Sequence, residues 1–158
     1  MPDLPDDIAS QINELEGMLQ VQPTAERYAQ LADLYRTNGQ LEQAIEKCQQ
    51  GLKAFPDNID CLMTYSRALV DSSRFEEAEN ILKRIIELGG EDAGTLILMG
   101  QLYSQRNDLA GIHSIATKLS INYQNDIRAK RFLKFLSNKN LLPPGIETSD
   151  DTPRPITS

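Results

Sequence analysis

The sequence predicts an all-α chain built as a stack of helix pairs, and three observations carry that expectation. Ala25–Asn58 spans 34 residues, and Ile59–Asp92 and Ala93–Asp126 repeat its pattern at the same spacing. Each unit holds two stretches whose apolar residues recur at helical spacing, with a turn or breaker between them. Small residues recur where two such helices must cross: Ala32 and Ala44 in the first unit, Ser66 and Ala78 in the second, Gly100 in the third.

Composition bounds what such a stack does. The chain has 158 residues, of which 40% are apolar and 25% charged, as expected of a soluble globular chain. Its net charge of −7 argues against general nucleic-acid binding, which needs clustered Lys and Arg to neutralise phosphates. No apolar run approaches the roughly 20 residues that span a bilayer, so direct membrane insertion is not expected. Met1–Ser10 is acidic and lacks the apolar stretch of a secretory signal, so a cytoplasmic setting is expected. Cys48 and Cys61 each fall inside a helical pattern and read as small core-filling side chains, not as a disulfide or metal framework.

In chain order, residues 1–5 are a flexible lead-in, and Asp6 or Asp7 offers a carboxylate to cap the helix that follows. That helix, within 6–22, carries Ile8, Ile12, Leu15, Met18 and Leu19 as one stripe. Aligning Pro23 with Pro56 sets Ile8, Ile12, Leu15 and Leu19 opposite Leu41, Ile45, Cys48 and Leu52, so it reads as a lone second helix of a unit. In the first full unit, a helix from Ala25 to Thr37 is broken at Gly39, and a second from Leu41 to Ala54 is stopped by Pro56. The second unit keeps Leu62, Tyr65, Ser66, Leu69, Phe75, Ala78 and Leu82 in register. It ends on Gly89-Gly90 in place of Pro and puts Ile85 where Gly51 stands. The third keeps Leu96, Met99, Gly100 and Tyr103, but Ile112 replaces the crossing Ala with Gly111 beside it, leaving that crossing open. A last helix, 127–138, has Ala129, Phe132, Leu133 and Leu136 as its stripe and no acid, and reads as a cap. The three units and this cap make a domain over 23–140. From Leu141 the periodicity ends, and 141–158, with four prolines in PPGIETSDDTPRPITS, is expected to be disordered.

The 34-residue period with Tyr28, Leu31, Ala32, Tyr35, Ala44, Gly51 and Pro56 at their offsets resembles the tetratricopeptide repeat. The resemblance covers about Asp6 to Asn138. It implies a right-handed α-solenoid of helix-turn-helix repeats (25–58, 59–92 and 93–126) with half-repeat capping helices at both ends. It also implies work as a surface that binds other proteins.

No chemistry of catalysis stands out. His113 is the only histidine and has no visible partner. Gly89-Gly90 and Gly100 are isolated and form no phosphate loop, and no Cys/His set has zinc spacing. Glu76, Glu77 and Glu79 read as a solvated face. The expectation is no enzyme, no cofactor and no metal.

The resemblance implies that the first helix of each repeat lines a concave groove. In the first repeat this gives Glu26, Ala29, Gln30, Asp33, Arg36 and Thr37; in the second, Asp60, Met63, Thr64, Arg67, Val70 and Asp71. The third gives Gly94, Ile97, Leu98, Gln101, Ser104 and Gln105, and the cap adds Arg128, Arg131, Phe132 and Phe135. The expected partner site is Arg36, Met63, Arg67, Val70, Ile97, Leu98, Gln101, Arg128, Arg131 and Phe135, apolar with basic flanks toward the C-terminal end. Phe132 reads as packing; Ile97, Leu98 and Phe135 divide evenly between packing and binding. The carboxylate clamp of some co-chaperones of this fold is absent, since Ala29, Asp33, Thr64, Gly94 and Leu98 stand at its positions.

Two functions follow. The first is an adaptor that takes a segment of another protein in the groove, best matched by apolar anchors followed by acids. The alternative is a self-assembling scaffold, a homo-oligomer joined through end helices or terminal segments. Two self-ligands are also conceivable: the first helix lying in the groove, or Ile146-Glu147 and Asp150-Asp151 competing weakly from the tail.

Overall fold

A computed structural model describes residues 5–148, and the expectations for Met1–Leu4 and for Asp150-Asp151 lie outside the described residues. The described chain is helical: α1 (Asp6–Val21), α2 (Ala25–Thr37), α3 (Leu41–Ala54), α4 (Ile59–Asp71), α5 (Phe75–Glu87), α6 (Ala93–Gln105), α7 (Leu109–Asn122) and α8 (Ile127–Asn138). They form a right-handed solenoid in which α2/α3, α4/α5 and α6/α7 pair as repeats. α1 caps one end against α2, and α8 caps the other against α6 and α7.

The same local chemistry starts and stops each repeat. Side chains of Thr24, Asn58, Asp92 and Asp126, spaced by the repeat period, accept from free backbone N–H groups at the starts of α2, α4, α6 and α8. The first helices all end in one left-handed turn, at Gly39 (φ 77°), Ser73 (φ 60°) and Asn107 (φ 55°). There the N–H groups of Gln40, Arg74 and Asp108 donate back to the carbonyls of Tyr35, Leu69 and Tyr103 at 2.9, 2.8 and 2.9 Å. α1 departs from expectation: its N-cap is Pro5 with no side-chain cap bond, and Asp6 and Asp7 lie inside the first turn. Their charge still favours the positive end of the helix dipole.

Crossings are set by size exchange between paired positions. A Cβ on Gly51 would stand 2.7 Å from Tyr28 Cβ, so the tyrosine requires glycine there. Leu62 and Ile85 hold the same two positions in the second repeat, and Leu96 and Leu119 in the third; all four are fully buried. Ile85 is therefore admitted because its partner position carries Leu and not Tyr. The open crossing of the third repeat resolves one residue early. The Tyr103 ring lies on Gly111, where a Cβ would stand 2.6 Å from its Cγ, and Ile112 is buried beside it. The core runs the length of the stack through Leu31, Leu62, Leu69, Leu82, Leu102 and Leu136. Cys48 and Cys61 are free thiols within it. Burial pushes their pKa values up to about 12 and about 11, so both stay protonated and serve as packing.

The segment after α8 differs from expectation over 141–148, and the expectation for 149–158 lies outside the described residues. Leu141, Leu142 and Ile146 pack against the core, and the N–H of Leu141 donates to Leu136 at 2.9 Å. The packed chain thus extends past Leu141, because these apolar residues lie against the core. The expected role of Ile146-Glu147 as a groove ligand is not met. Ile146 packs on the core, and Glu147 borders a cleft formed with Tyr123, Lys130 and Lys134, apart from the groove residues except Arg131.

Candidate functional site

One face of the stack is lined by α2, α4, α6 and α8, the first helices and the cap, and three adjoining clefts run along it. The first, about 540 Å³, lies among Arg36, Arg67, Val70, Leu98, Gln101 and Phe135. The second, also about 540 Å³, lies among Arg67, Ile97, Leu98, Arg128, Arg131 and Phe135. The third, about 360 Å³, includes Met63, Arg67, Gly94 and Arg128. Arg67 borders all three, so they form one groove, and every residue of the expected partner site touches it.

The residues play unequal parts. Val70 and Leu98 are 5% and 7% exposed, so they are floor rather than anchors. Ile97 and Met63 are half-buried. Phe135 is 45% exposed and projects over the groove, stacked on Phe132 at a centroid distance of 6.0 Å. Phe132 is itself 6% exposed and packs against Gly100, where a Cβ would meet its Cε1 at 2.6 Å. That settles the pair: Phe132 is a packing residue that holds the exposed ring of Phe135. Ala29, another groove position, is buried.

The charges also differ in what they are free to do. Arg36 is bound on both sides, to Asp33 and to Asp71 at 2.9 Å each, and ties α2 to α4. Burial lowers its pKa, but the bonds to Asp71 and Asp33 outweigh that and raise it. Arg128 is held by Asp126 of its own helix start at 2.8 Å. Its guanidinium lies over Gly94, where a Cβ would come within 3.4 Å. Arg67 and Arg131 are exposed and have no carboxylate partner among the described residues. The groove therefore combines an apolar floor and one exposed ring with two uncommitted guanidinium groups. Among the described residues, no cluster of His, Cys, Asp and Glu is arranged to hold a metal ion.

Sequence reasoning found the groove positions because the repeat register assigns them. It did not find which arginines are committed. The Arg36–Asp71 pair joins residues of different repeats, and only their spacing near one period hinted at it.

Comparison with known proteins agrees with this geometry. A family model for the tetratricopeptide repeat matches residues 35–102. A tetratricopeptide repeat protein from Parabacteroides merdae superposes with a TM-score of 0.67 over 85% of this chain and 56% of its own, at 20% identity, a likeness of fold. Two pentatricopeptide repeat-containing proteins of Arabidopsis thaliana are also similar. One is 29% identical over 60% of this chain and 20% of its own length; the other, described as chloroplastic, is 32% identical over 58% and 16%. The chain thus spans a fifth or less of the length of these curated relatives. Residues 35–102 thus match the tetratricopeptide repeat, and the described residues have the fold of a tetratricopeptide repeat solenoid. Repeats of this family mediate protein–protein interaction, and their fold is typically non-catalytic.

Proposed function

We propose that this chain is an adaptor that binds a segment of another protein in the groove between α2, α4, α6 and α8. The observation that carries the reading is the pairing of Phe135, exposed but held by Phe132, with the uncommitted guanidinium of Arg67. Arg is among the residue types most enriched at binding hot spots, and aromatic side chains, Phe included, are enriched in interfaces. The apolar floor at Val70, Ile97 and Leu98 takes an apolar side chain; Arg67 and Arg131 orient acids and speed encounter. The ligand is thus a short segment with one or two apolar anchors followed by Asp or Glu. The reading includes a cytoplasmic setting, which imaging of the tagged chain in its source cell would check.

Selection from a random peptide library on the immobilised chain tests the ligand class. The expected enrichment is for apolar residues followed by acids, with capture weakening as salt rises. Enrichment of basic sequences, or no enrichment, would contradict the reading.

A further inference from the structure

We propose that the chain associates head to tail with a second copy of itself, the outer face of α1 on one copy seating on the C-terminal end face of the next. The inference is independent of the groove. It starts from the distribution of charge. Up to Asp92 the chain holds 18 acidic and 8 basic residues, whereas from Ala93 to Thr148 it holds 3 acidic and 7 basic. The two end helices are the extremes. α1 carries Asp6, Asp7, Glu14 and Glu16 with no Lys or Arg. α8 carries Arg128, Lys130, Arg131 and Lys134 with no acid.

Each end also leaves apolar surface in solvent. α1 buries Ile12 against α2, and its opposite face, at helical spacing, presents Asp7, Glu14, Met18 and Val21. Met18 is 39% and Val21 88% exposed. Glu16 is committed to Lys47 at 3.0 Å, but Asp7 and Glu14 have no basic partner among the described residues. At the other end, a cleft of about 380 Å³ opens between Tyr123, Ile127, Lys130, Leu133 and Lys134. Ile121 and Ile127, 62% and 61% exposed, stand at that end. Glu147 already reaches the rim of this cleft from the segment after α8, an intramolecular acid beside the basic helix. An acidic helix with exposed Met and Val complements a basic cleft with exposed Ile, in charge and in surface type.

The two faces differ, so the contact is heterologous and does not close on itself in a pair. A pair still has one free acidic end and one free basic end, on different copies, and assembly adds copies in a row. The net charge of −7 opposes this at long range. At about 0.1 M ionic strength the Debye length of about 10 Å screens that repulsion, while ion pairs in contact persist; at about 1 M it is about 3 Å and the pairs weaken too.

Sedimentation velocity of the full chain, from micromolar to about 0.5 mM, tests the proposal by mass action. At about 0.1 M salt the weight-average mass should rise with concentration past that of a dimer, and fall to monomer near 1 M. A monomer throughout, a closed dimer, or a salt-indifferent oligomer would overturn it. Charge reversal locates the contact. Lys130→Glu/Lys134→Glu alone and Asp7→Lys/Glu14→Lys alone should each be monomeric, with circular dichroism melts checking that both fold. An equal mixture should assemble again, because the acidic cleft of the first meets the basic helix of the second. Assembly by either variant alone, or a mixture that stays monomeric, would overturn the head-to-tail geometry.

Discussion

At the scale of single residues, the repeat depends on which side chain faces which gap. Gly100 leaves no room for a methyl, with Phe132 at 2.6 Å and Ile115 at 3.2 Å from where its Cβ would stand. Gly100→Ala should therefore destabilise by about 1–3 kcal/mol. Phe132→Leu in the same chain should recover part of that loss. Gly17, in the middle of α1, has nothing within 4 Å. Gly17→Ala should change stability in the opposite direction, by about 0.5–1 kcal/mol, because alanine orders more readily in a helix. Urea melts of the two variants beside the parent settle both signs. The general need for small residues at crossings was legible, and Ala32, Ala44 and Ala78 are fully buried as their spacing implied. The exchange of Tyr28 with Gly51 for Leu62 with Ile85 was not legible, since a repeat pattern scores each position alone while packing acts on pairs.

At the scale of elements, the turns and the ties between repeats carry the stack. Ser73 occupies the left-handed position that Gly39 fills without strain. A non-glycine residue there costs about 1–2 kcal/mol, and glycine gives back about 0.5–1 kcal/mol through unfolded-chain entropy. Ser73→Gly should then raise the midpoint of thermal unfolding by up to about 2–4 °C, as roughly 1 kcal/mol does for a chain of this size. Asn107→Gly should do less, because asparagine tolerates that conformation. Between repeats, Glu79 of α5 accepts from Lys83 at 2.9 Å and from Arg106, just past the end of α6, at 2.7 Å, with Tyr103 of α6 donating as well. The bond to Lys83 most strongly lowers its carboxyl below the ordinary 4.5, against the opposing effect of burial. A folded-state pKa below the unfolded one gives stability that is present above the unfolded value and lost as pH falls through the folded one. The stability gap between the parent and Glu79→Gln should thus be flat above about pH 6 and shrink below 4.5. A gap independent of pH would remove Glu79 from this role. The segment 141–148 was missed for a related reason: Leu141, Leu142 and Ile146 have no period among prolines, and their partial burial depends on a core that only the assembled helices create.

At the scale of the molecule, register alone placed ten side chains on one groove, because a solenoid turns fixed repeat positions into one continuous face. Register does not say which side chains are spent. Arg36 and Arg128 are tied to acids of this chain, and Val70 and Leu98 lie below the surface. Binding should therefore concentrate at Arg67 and Phe135, both exposed, so that replacing either leaves the fold intact. The most direct test is the affinity of a library-selected acidic–apolar peptide, by isothermal titration, for the parent chain, Arg67→Glu, Phe135→Asp and a control on α5, Glu76→Lys. The account expects each groove variant to lose about 30-fold or more, the scale of about 2 kcal/mol at a binding hot spot. Glu76→Lys should bind as the parent does. Equal affinity across all four chains, or loss only in Glu76→Lys, would contradict the groove as the binding surface.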